Sequence, residues 1–333
     1  MRILVTGGAG YIGSHAARLF ARRGHDVWVL DNLSRGHAAA ALPGRLIVAD
    51  LANQQATEAA LERHDIEAVV HFAAFTYVGE SVREPSLYYN NNFATTLGLL
   101  DAMRRQGVRR FVFSSTAAVY GTPKQVPIDE DAALEPINPY GRAKLAVENA
   151  LADYATAYGL GYTALRYFNA AGACPMAELG EDHDPETHLI PLVLQAALGR
   201  RPSINVFGTD YPTADGTCVR DYVHVEDLAE AHLLALEAVE FGSGRAYNLG
   251  TGQGYSVREV IEVCQEVSGR EVPVTFGPRR AGDPATLIAS GERTRRELGW
   301  KPRFADLRSI VQTALRWHER HPEGYVPQSG PTR

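Results

Sequence analysis

Along the first half of the chain, short and almost unbroken apolar runs alternate with longer stretches whose apolar residues recur every three or four positions. The runs predict strands at 2–6, 26–30, 45–49, 68–72, 109–114 and 161–166. Their β-branched and aromatic content, as in Arg110-Phe111-Val112-Phe113 and Ala68-Val69-Val70-His71-Phe72, suits strands covered on both faces. The periodic stretches predict helices at 11–24, 54–63, 86–106 and 138–158. Parallel strands joined by helices imply right-handed crossovers and a doubly wound sheet, an α/β fold.

Past residue 168 the pattern loosens. Gly and Pro become frequent (Gly172, Pro175, Gly180, Pro185, Pro202, Gly208), runs shorten, and helical periodicity returns at 225–240, 256–268, 292–299 and 305–318. The reading is a nucleotide-binding domain over 1–168 and a smaller mixed lobe over 169–333, with segments free to cross between them. A ligand cleft between the two lobes follows as an expectation. The tail after Pro322 reads as irregular.

Composition narrows the class. The chain has 333 residues, 45% apolar and 22% charged, with a formal net charge of −6. A mildly acidic surface offers nucleic acid or an anionic membrane no electrostatic footprint, so neither is expected as a partner. No apolar run approaches the roughly 18 residues of a membrane span, and Met1–Gly7 is too short an apolar stretch for a signal peptide. A cytoplasmic location is expected. Cys174, Cys218 and Cys264 are odd in number and far apart, so no disulfide framework or Cys-x-x-Cys pair is available, and no metal site is expected. Of the 33 basic residues only Lys124, Lys144 and Lys301 are lysine, which gives weight to a lysine inside a motif.

The first run leads straight into Gly7-Gly8-Ala9-Gly10-Tyr11-Ile12-Gly13, which fits both G-x-G-x-x-G and G-x-x-G-x-x-G. Glycines allow the tight turn and let backbone N–H groups approach a pyrophosphate at the positive end of the next helix. Asp31, 18 residues past Gly13, ends the second run. A carboxylate there accepts from an adenosine ribose and repels a 2′-phosphate, which favours NAD over NADP, though Arg35 could soften the preference. The sheet is therefore expected to be Rossmann-like. Asp50, ending the third run, has two readings, an adenine contact or a helix N-cap.

Asn138-Pro139-Tyr140-Gly141-Arg142-Ala143-Lys144 opens a helix, with Asn138 as cap and Pro139 at the first turn. Tyr140 and Lys144 then share a face at i and i+4. Ser114-Ser115-Thr116 ends the fifth run, where doubly wound sheets place their chemistry. An alcohol surrenders hydride only as its proton leaves, so such a site needs a base near neutrality. A tyrosine at about 10 falls short by about 4 kcal/mol. A neighbouring ammonium and a positively charged nicotinamide both favour its phenolate. Thr116 adds a hydroxyl for the reacting oxygen.

These motifs together resemble the extended short-chain dehydrogenase/reductase family. Within it, the whole chain is similar to the bacterial UDP-glucose (UDP-galactose) 4-epimerases, through His71-Phe72-Ala73-Ala74, Val78-Gly79-Glu80-Ser81, Tyr120-Gly121, Arg166-Tyr167-Phe168-Asn169 and Gly216 to Val225. The resemblance implies Thr116, Tyr140 and Lys144 as catalytic residues. It implies a tightly held NAD on Gly7, Gly10, Tyr11, Ile12 and Gly13, with Asp31, Asn32, Asp50 and Leu51 at the adenosine end. Phe72, Ala73, Ala74, Asn91, Ser114, Tyr140, Lys144 and Tyr167 complete that cofactor set. For a UDP-sugar it implies Thr116, Tyr140, Asn169, His188, Leu189, Asn205, Phe207, Arg220, Tyr222, Arg280, Asp283 and Leu287. Tyr140 would take the proton of the sugar 4-hydroxyl as its hydride passes to NAD⁺. The 4-keto sugar would then turn and recover the hydride on its other face.

Several alternatives stay open at this point. Arg279-Arg280 could be a solvated loop, and Arg220 could pair with an acid such as Asp221. Thr76 stands where many relatives carry a lysine near the cofactor pyrophosphate. Leu287 occupies the position lining the sugar's C2 substituent, so N-acetylhexosamines and pentoses remain candidate substrates. A nucleotide-sugar 4,6-dehydratase needs an acid and a base after the threonine, where Ala117 and Ala118 stand here. A dehydrogenase with exchangeable cofactor and a non-catalytic NAD-sensing module are the other rivals. A homodimer pairing helices 86–106 and 138–158 is expected, although Leu97, Leu100, Leu145 and Val147 could equally be core.

Overall fold

A computed structural model of the protein describes residues 1–280 and 283–325. The six apolar runs are strands β1 (Arg2–Thr6), β2 (Asp26–Asp31), β3 (Leu46–Val48), β4 (Ala68–His71), β5 (Arg110–Ser114) and β6 (Gly161–Tyr167). Three more follow, β7 (Asn169–Ala171), β8 (Ile204–Phe207) and β9 (Val219–His224). Then come β10 (Gly244–Leu249), β11 (Gly254–Ser256), β12 (Val274–Gly277) and β13 (Thr286–Leu287). One parallel sheet has the order β10-β6-β5-β4-β1-β2-β3. The order reverses between β1 and β4, and the crevice beyond the carboxyl ends of such strands is where open α/β sheets bind ligands.

Helices α1 (Tyr11–Arg22), α2 (Gln54–Arg63), α3 (Val78–Arg83), α4 (Pro85–Tyr88), α5 (Thr95–Arg105) and α6 (Pro139–Tyr158) accompany the first six strands. The second half adds α7 (Leu189–Ala197), α8 (Val225–Glu237), α9 (Val257–Ser268), α10 (Glu292–Leu298) and α11 (Leu307–Arg320). Alternate residues of each strand serve opposite faces of the sheet. Ile3, Val5, Val27, Val29 and Val70 pack with Phe20 of α1 and Leu228 of α8. Leu4, Leu30, Val69, Phe111 and Phe113 pack with α2, α5 and α6. This double burial is why the strands read as continuous apolar runs rather than alternating ones.

The lobe has its own core. β9 pairs in parallel with β7 and β13 and antiparallel with β11, while β8 pairs with β12. Apolar faces of α7, α9 and α11 cover Ala171, Val206 and Tyr222. Several outcomes differ from the periodicity reading, the unexpected α3 and the short strands of the lobe among them. α7 and the seventh sheet strand, β10, went unread. β10, with α8 beside it, brings residues after 168 back into the main sheet, a crossing between halves that the division at 168 allowed for. The helix over 86–106 is interrupted by a π-helical turn, Tyr89–Ala94. The irregular tail after Pro322 falls, from residue 326, outside the described residues, as does Gly282.

Candidate active site

The glycine turn joins β1 to α1 because nothing larger fits. Gly7 has φ +72°, and a Cβ there would sit 2.5 Å from the Ala73 nitrogen; one at Gly13 would sit 2.2 Å from the Gly7 carbonyl oxygen. Gly10 caps α1 without a side-chain hydrogen bond, so the first N–H groups of the helix have no side-chain acceptor. Gly7, Gly10, Tyr11, Ile12 and Gly13 line one cavity at this helix end. Free donors at the positive end of a helix are what a pyrophosphate requires. The chain therefore fits a dinucleotide.

Asp31, at the end of β2, lines the same cavity. Its carboxylate accepts from the Ala9 N–H at 3.0 Å and the Leu33 N–H at 2.8 Å. Burial raises its pKa against those two donors. Asn32, Asp50 and Leu51 also line the cavity, and Asn32 Nδ2 donates to Asp50 at 2.8 Å. Asp50 does not cap α2: Asn53 does, accepting from the Ala56 N–H. Beyond β4, Phe72, Ala73 and Ala74 form another wall. Asn92, on the π turn, clamps the Phe75 backbone at both N–H and carbonyl, each at 2.8 Å, while its neighbour Asn91 reaches the cavity. The extra residue of a π turn re-aims side chains, so the interruption of the expected helix lies at the site.

Thr116 and Tyr140 both line the cavity. Asn138 accepts from the Gly141 N–H at 2.8 Å and Pro139 opens the helix, which fixes where Tyr140 points. Burial pushes the Tyr140 phenol up to about 12, with the Thr116 hydroxyl pulling against it. Lys144 lies one turn on and is buried beneath the cavity rather than in its lining; its Nζ donates to the Ser114 carbonyl at 2.7 Å and lies over the Phe113 ring. Burial lowers its pKa to about 7, and Glu148 opposes that shift. The Ser114 hydroxyl bonds the Tyr167 hydroxyl, and of these two only Tyr167 lines the cavity.

Behind these residues lies a network that motif reading missed. Glu148, on α6, accepts from Ser115 Oγ at 2.5 Å and from the Arg166 guanidinium of β6, all of them buried. Arg166 also donates to the Tyr120 hydroxyl, which in turn donates to Asn248 of β10. The spacing Tyr140, Lys144, Glu148 at successive helix turns was the available signal.

The UDP-sugar set divides. Thr116, Tyr140, Asn169 and His188 line the cavity, whereas Leu189, Asn205, Phe207, Arg220, Tyr222, Arg280, Asp283 and Leu287 do not. Arg220 pairs with Asp283, not with the adjacent Asp221, and also donates to the Val219 and Pro284 carbonyls. Asp221 is instead satisfied by the Thr251, Gly252 and Ala289 N–H groups. Arg280 stacks over the Phe207 ring at 4.1 Å, and Tyr222 is buried in the lobe core. Leu287 packs with Val119, Tyr120 and Ile128. Leu100 and Val147, two of the positions weighed for a subunit contact, are core residues of the sheet.

A doubly wound sheet with a glycine turn, an acid closing β2 and a tyrosine opposite them defines a Rossmann-like dinucleotide-binding protein. Residues 3–250 match the NAD dependent epimerase/dehydratase family. The chain belongs to that family. It is 51% identical over 330 residues, 99% of each chain, to a UDP-glucose 4-epimerase of Halalkalibacterium halodurans. It is similar to the crystal structure of UDP-glucose 4-epimerase from Brucella ovis in complex with NAD, with a TM-score of 0.91 and 50% identity over 95% of this chain and 97% of that one. The UDP-glucose 4-epimerase of Bifidobacterium longum in complex with NAD⁺ and UDP superposes with a TM-score of 0.94 at 37% identity, over 98% and 100% of the two chains.

Proposed function

We infer that the protein interconverts UDP-galactose and UDP-glucose by transient oxidation at the sugar's C4. It is an NAD-dependent isomerase. The observation that carries the reading is one cavity that holds the glycine turn, Asp31, Thr116 and Tyr140 together, in a chain about half identical over its full length to a UDP-glucose 4-epimerase. When bound, NAD⁺ supplies the hydride acceptor and a positive ring charge. The chain's residues do the rest. Tyr140 accepts the proton of the 4-hydroxyl and returns it, Thr116 hydrogen-bonds the reacting oxygen, and Lys144 favours the phenolate from below. Gly7 to Gly13 hold the pyrophosphate, and Asp31, Asn32, Asp50 and Leu51 hold the adenosine. Phe72, Ala73, Ala74, Asn91 and Tyr167 wall the nicotinamide half.

On the substrate side, Asn169 meets the sugar nucleotide from the cavity, and Arg280 with Phe207 offers a cation and an aromatic face for uridine diphosphate. The Arg220–Asp283 pair closes that flank. Ala117 and Ala118, next to Thr116, cannot move a proton, which opposes a dehydratase. Among the described residues no helix is long and apolar enough to cross a membrane. We place the protein in the cytoplasm as a homodimer. Exposed Val78, Val82, Leu87 and Tyr89, on consecutive segments of α3, α4 and the π turn, support a subunit contact.

The test is an assay of purified protein on UDP-galactose with no coenzyme added. UDP-glucose is expected to accumulate to equilibrium. An absolute need for stoichiometric NAD would remove the epimerase reading and leave a dehydrogenase.

A further inference from the structure

One group of side chains on the cavity wall, His188 of the UDP-sugar set among them, takes no part in the proton transfer just described. Between β7 and α7 the loop reads Glu181-Asp182-His183-Asp184-Pro185-Glu186-Thr187-His188, six potential metal ligands within eight residues, of which Glu181, His183, Glu186 and His188 converge. One ligand atom from each of the four lies within 4.8 Å of every other. Glu181 Oε1 is 3.1 Å from His183 Nδ1 and 2.7 Å from His188 Nδ1. Glu186 meets His188 Nδ1 at 3.0 Å and His183 Nδ1 at 3.8 Å. For bonds of about 2.0–2.2 Å, the nitrogens and oxygens around a tetrahedral zinc stand roughly 3.3–3.5 Å apart. Three of the four observed separations fall short of that spacing and the fourth, to the other Glu186 oxygen, exceeds it, so the ligands have to part slightly to admit an ion.

The loop is also held from behind. Trp317 Nε1 donates to the Glu181 carbonyl at 3.1 Å, the Tyr325 N–H to Asp182 at 2.8 Å, and His37 bonds the Asp182 carbonyl at 2.8 Å. Glu186 is oriented by the Thr187 and His188 N–H groups. Such outer contacts fix ligand direction before an ion arrives. Both carboxylates are nearly buried, with side chains 5% and 6% exposed. Like charges enclosed this closely require a cation beside them, which the two imidazoles supply as imidazoliums and a metal ion would supply in their place.

We propose that Glu181, His183, Glu186 and His188 form a four-ligand site for a divalent transition metal, zinc by its ligand chemistry. Two imidazoles and two carboxylates in tetrahedral reach suit zinc, and a site whose four ligands are all protein atoms is structural rather than catalytic. The ion ties the loop to the start of α7 and stiffens the cavity wall that Glu181, His183 and His188 share with Tyr11. The proposal stands independently of the epimerase reading, because its readouts are metal content and spectrum.

The test starts from full-length protein made in zinc-supplemented cells and purified without chelator. Elemental analysis is expected to find about one zinc per chain. Replacement by cobalt(II) is expected to give the intense visible bands of a tetrahedral ion. His183→Ala and the near-isosteric Glu186→Gln are each expected to weaken zinc at least about 10–100-fold in competition with a chromophoric chelator. Zinc is expected to raise the thermal midpoint of the wild type alone. Metal-free protein with no cobalt spectrum would overturn the proposal and leave two imidazolium–carboxylate pairs. So would zinc held equally by wild type and Glu186→Gln, which marks adventitious binding at surface histidines. The cobalt spectrum of the wild type decides even where a variant fails to fold.

Discussion

At the scale of single residues, the proposed chemistry turns on two side chains whose burial works against them. Tyr140 at about 12 lies about 5 pH units from neutrality, roughly 7 kcal/mol short of a phenolate. Positive charge has to close that gap, to which Lys144 adds only while it holds its proton, so removing the phenol removes the proposed proton path without touching the nucleotide grip. Tyr140→Phe is expected to lower kcat by about 10²–10⁴ and to leave UDP affinity, measured by calorimetry, unchanged. Equal turnover in the variant would exclude Tyr140 as the base. Lys144 is held near 7 against an ordinary 10.5. The unfolded chain keeps its ammonium to about pH 10.4, so between pH 7 and 10 it binds a proton that the folded state does not. Stability therefore rises with pH across that window, by at most ~1.4 kcal/mol per unit from this group. Lys144→Met is expected to flatten that rise in urea denaturation of the cofactor-free protein at pH 7, 8 and 9. A constant difference between wild type and variant would mean that the lysine stays charged when folded.

At the scale of elements, the site depends on β1, α1 and the loop after β4 approaching more closely than side chains permit. Gly13→Ala would drive a methyl into the Gly7 carbonyl. The outcome expected is loss of bound NAD, read as the nucleotide released from heat-denatured protein, with circular dichroism showing an otherwise folded chain. Full NAD content in the variant would show that the turn has slack. α6 is the other decisive element. Its N-cap aims Tyr140, its second turn places Lys144 under Ser114, and its third brings Glu148 to Arg166. A buried pair broken from one side leaves an uncompensated charge, so Glu148→Ala is expected to cost about 3–5 kcal/mol in chemical denaturation. A loss below about 1 kcal/mol would place the pair in solvent.

At the scale of the whole molecule, the proposed subunit contact is argued from exposed apolar residues rather than from the periodic positions first considered. Leu100 and Val147 are sheet core, while Val82 is 61% exposed and Val78 43%. Light scattering is expected to return twice the chain mass. A monomer at micromolar concentration would remove the dimer.

The sheet and the residues gathered at its cavity were legible because the signals for them are local. A strand buried on both faces must be apolar throughout, a pyrophosphate turn must be glycine, and a capped helix start announces itself in Asn138-Pro139. Thus β1 to β6, the glycine turn, Asp31, Thr116 and Tyr140 could be read in order along the chain, and the family resemblance followed from them. Tertiary structure decided what depends on distant partners. β10 joins the sheet only through β6, about eighty positions earlier. Arg220 takes Asp283 instead of its neighbour Asp221 because β13 lies alongside β9. Lys144 sits below the cavity because the Ser114 carbonyl claims its ammonium. Glu181, His183, Glu186 and His188 read as scattered loop polars until packing from Trp317 and Tyr325 turns them toward one point. Spacing along a chain specifies faces and turns, whereas charge partners are chosen by proximity in space, and only the folded molecule supplies that.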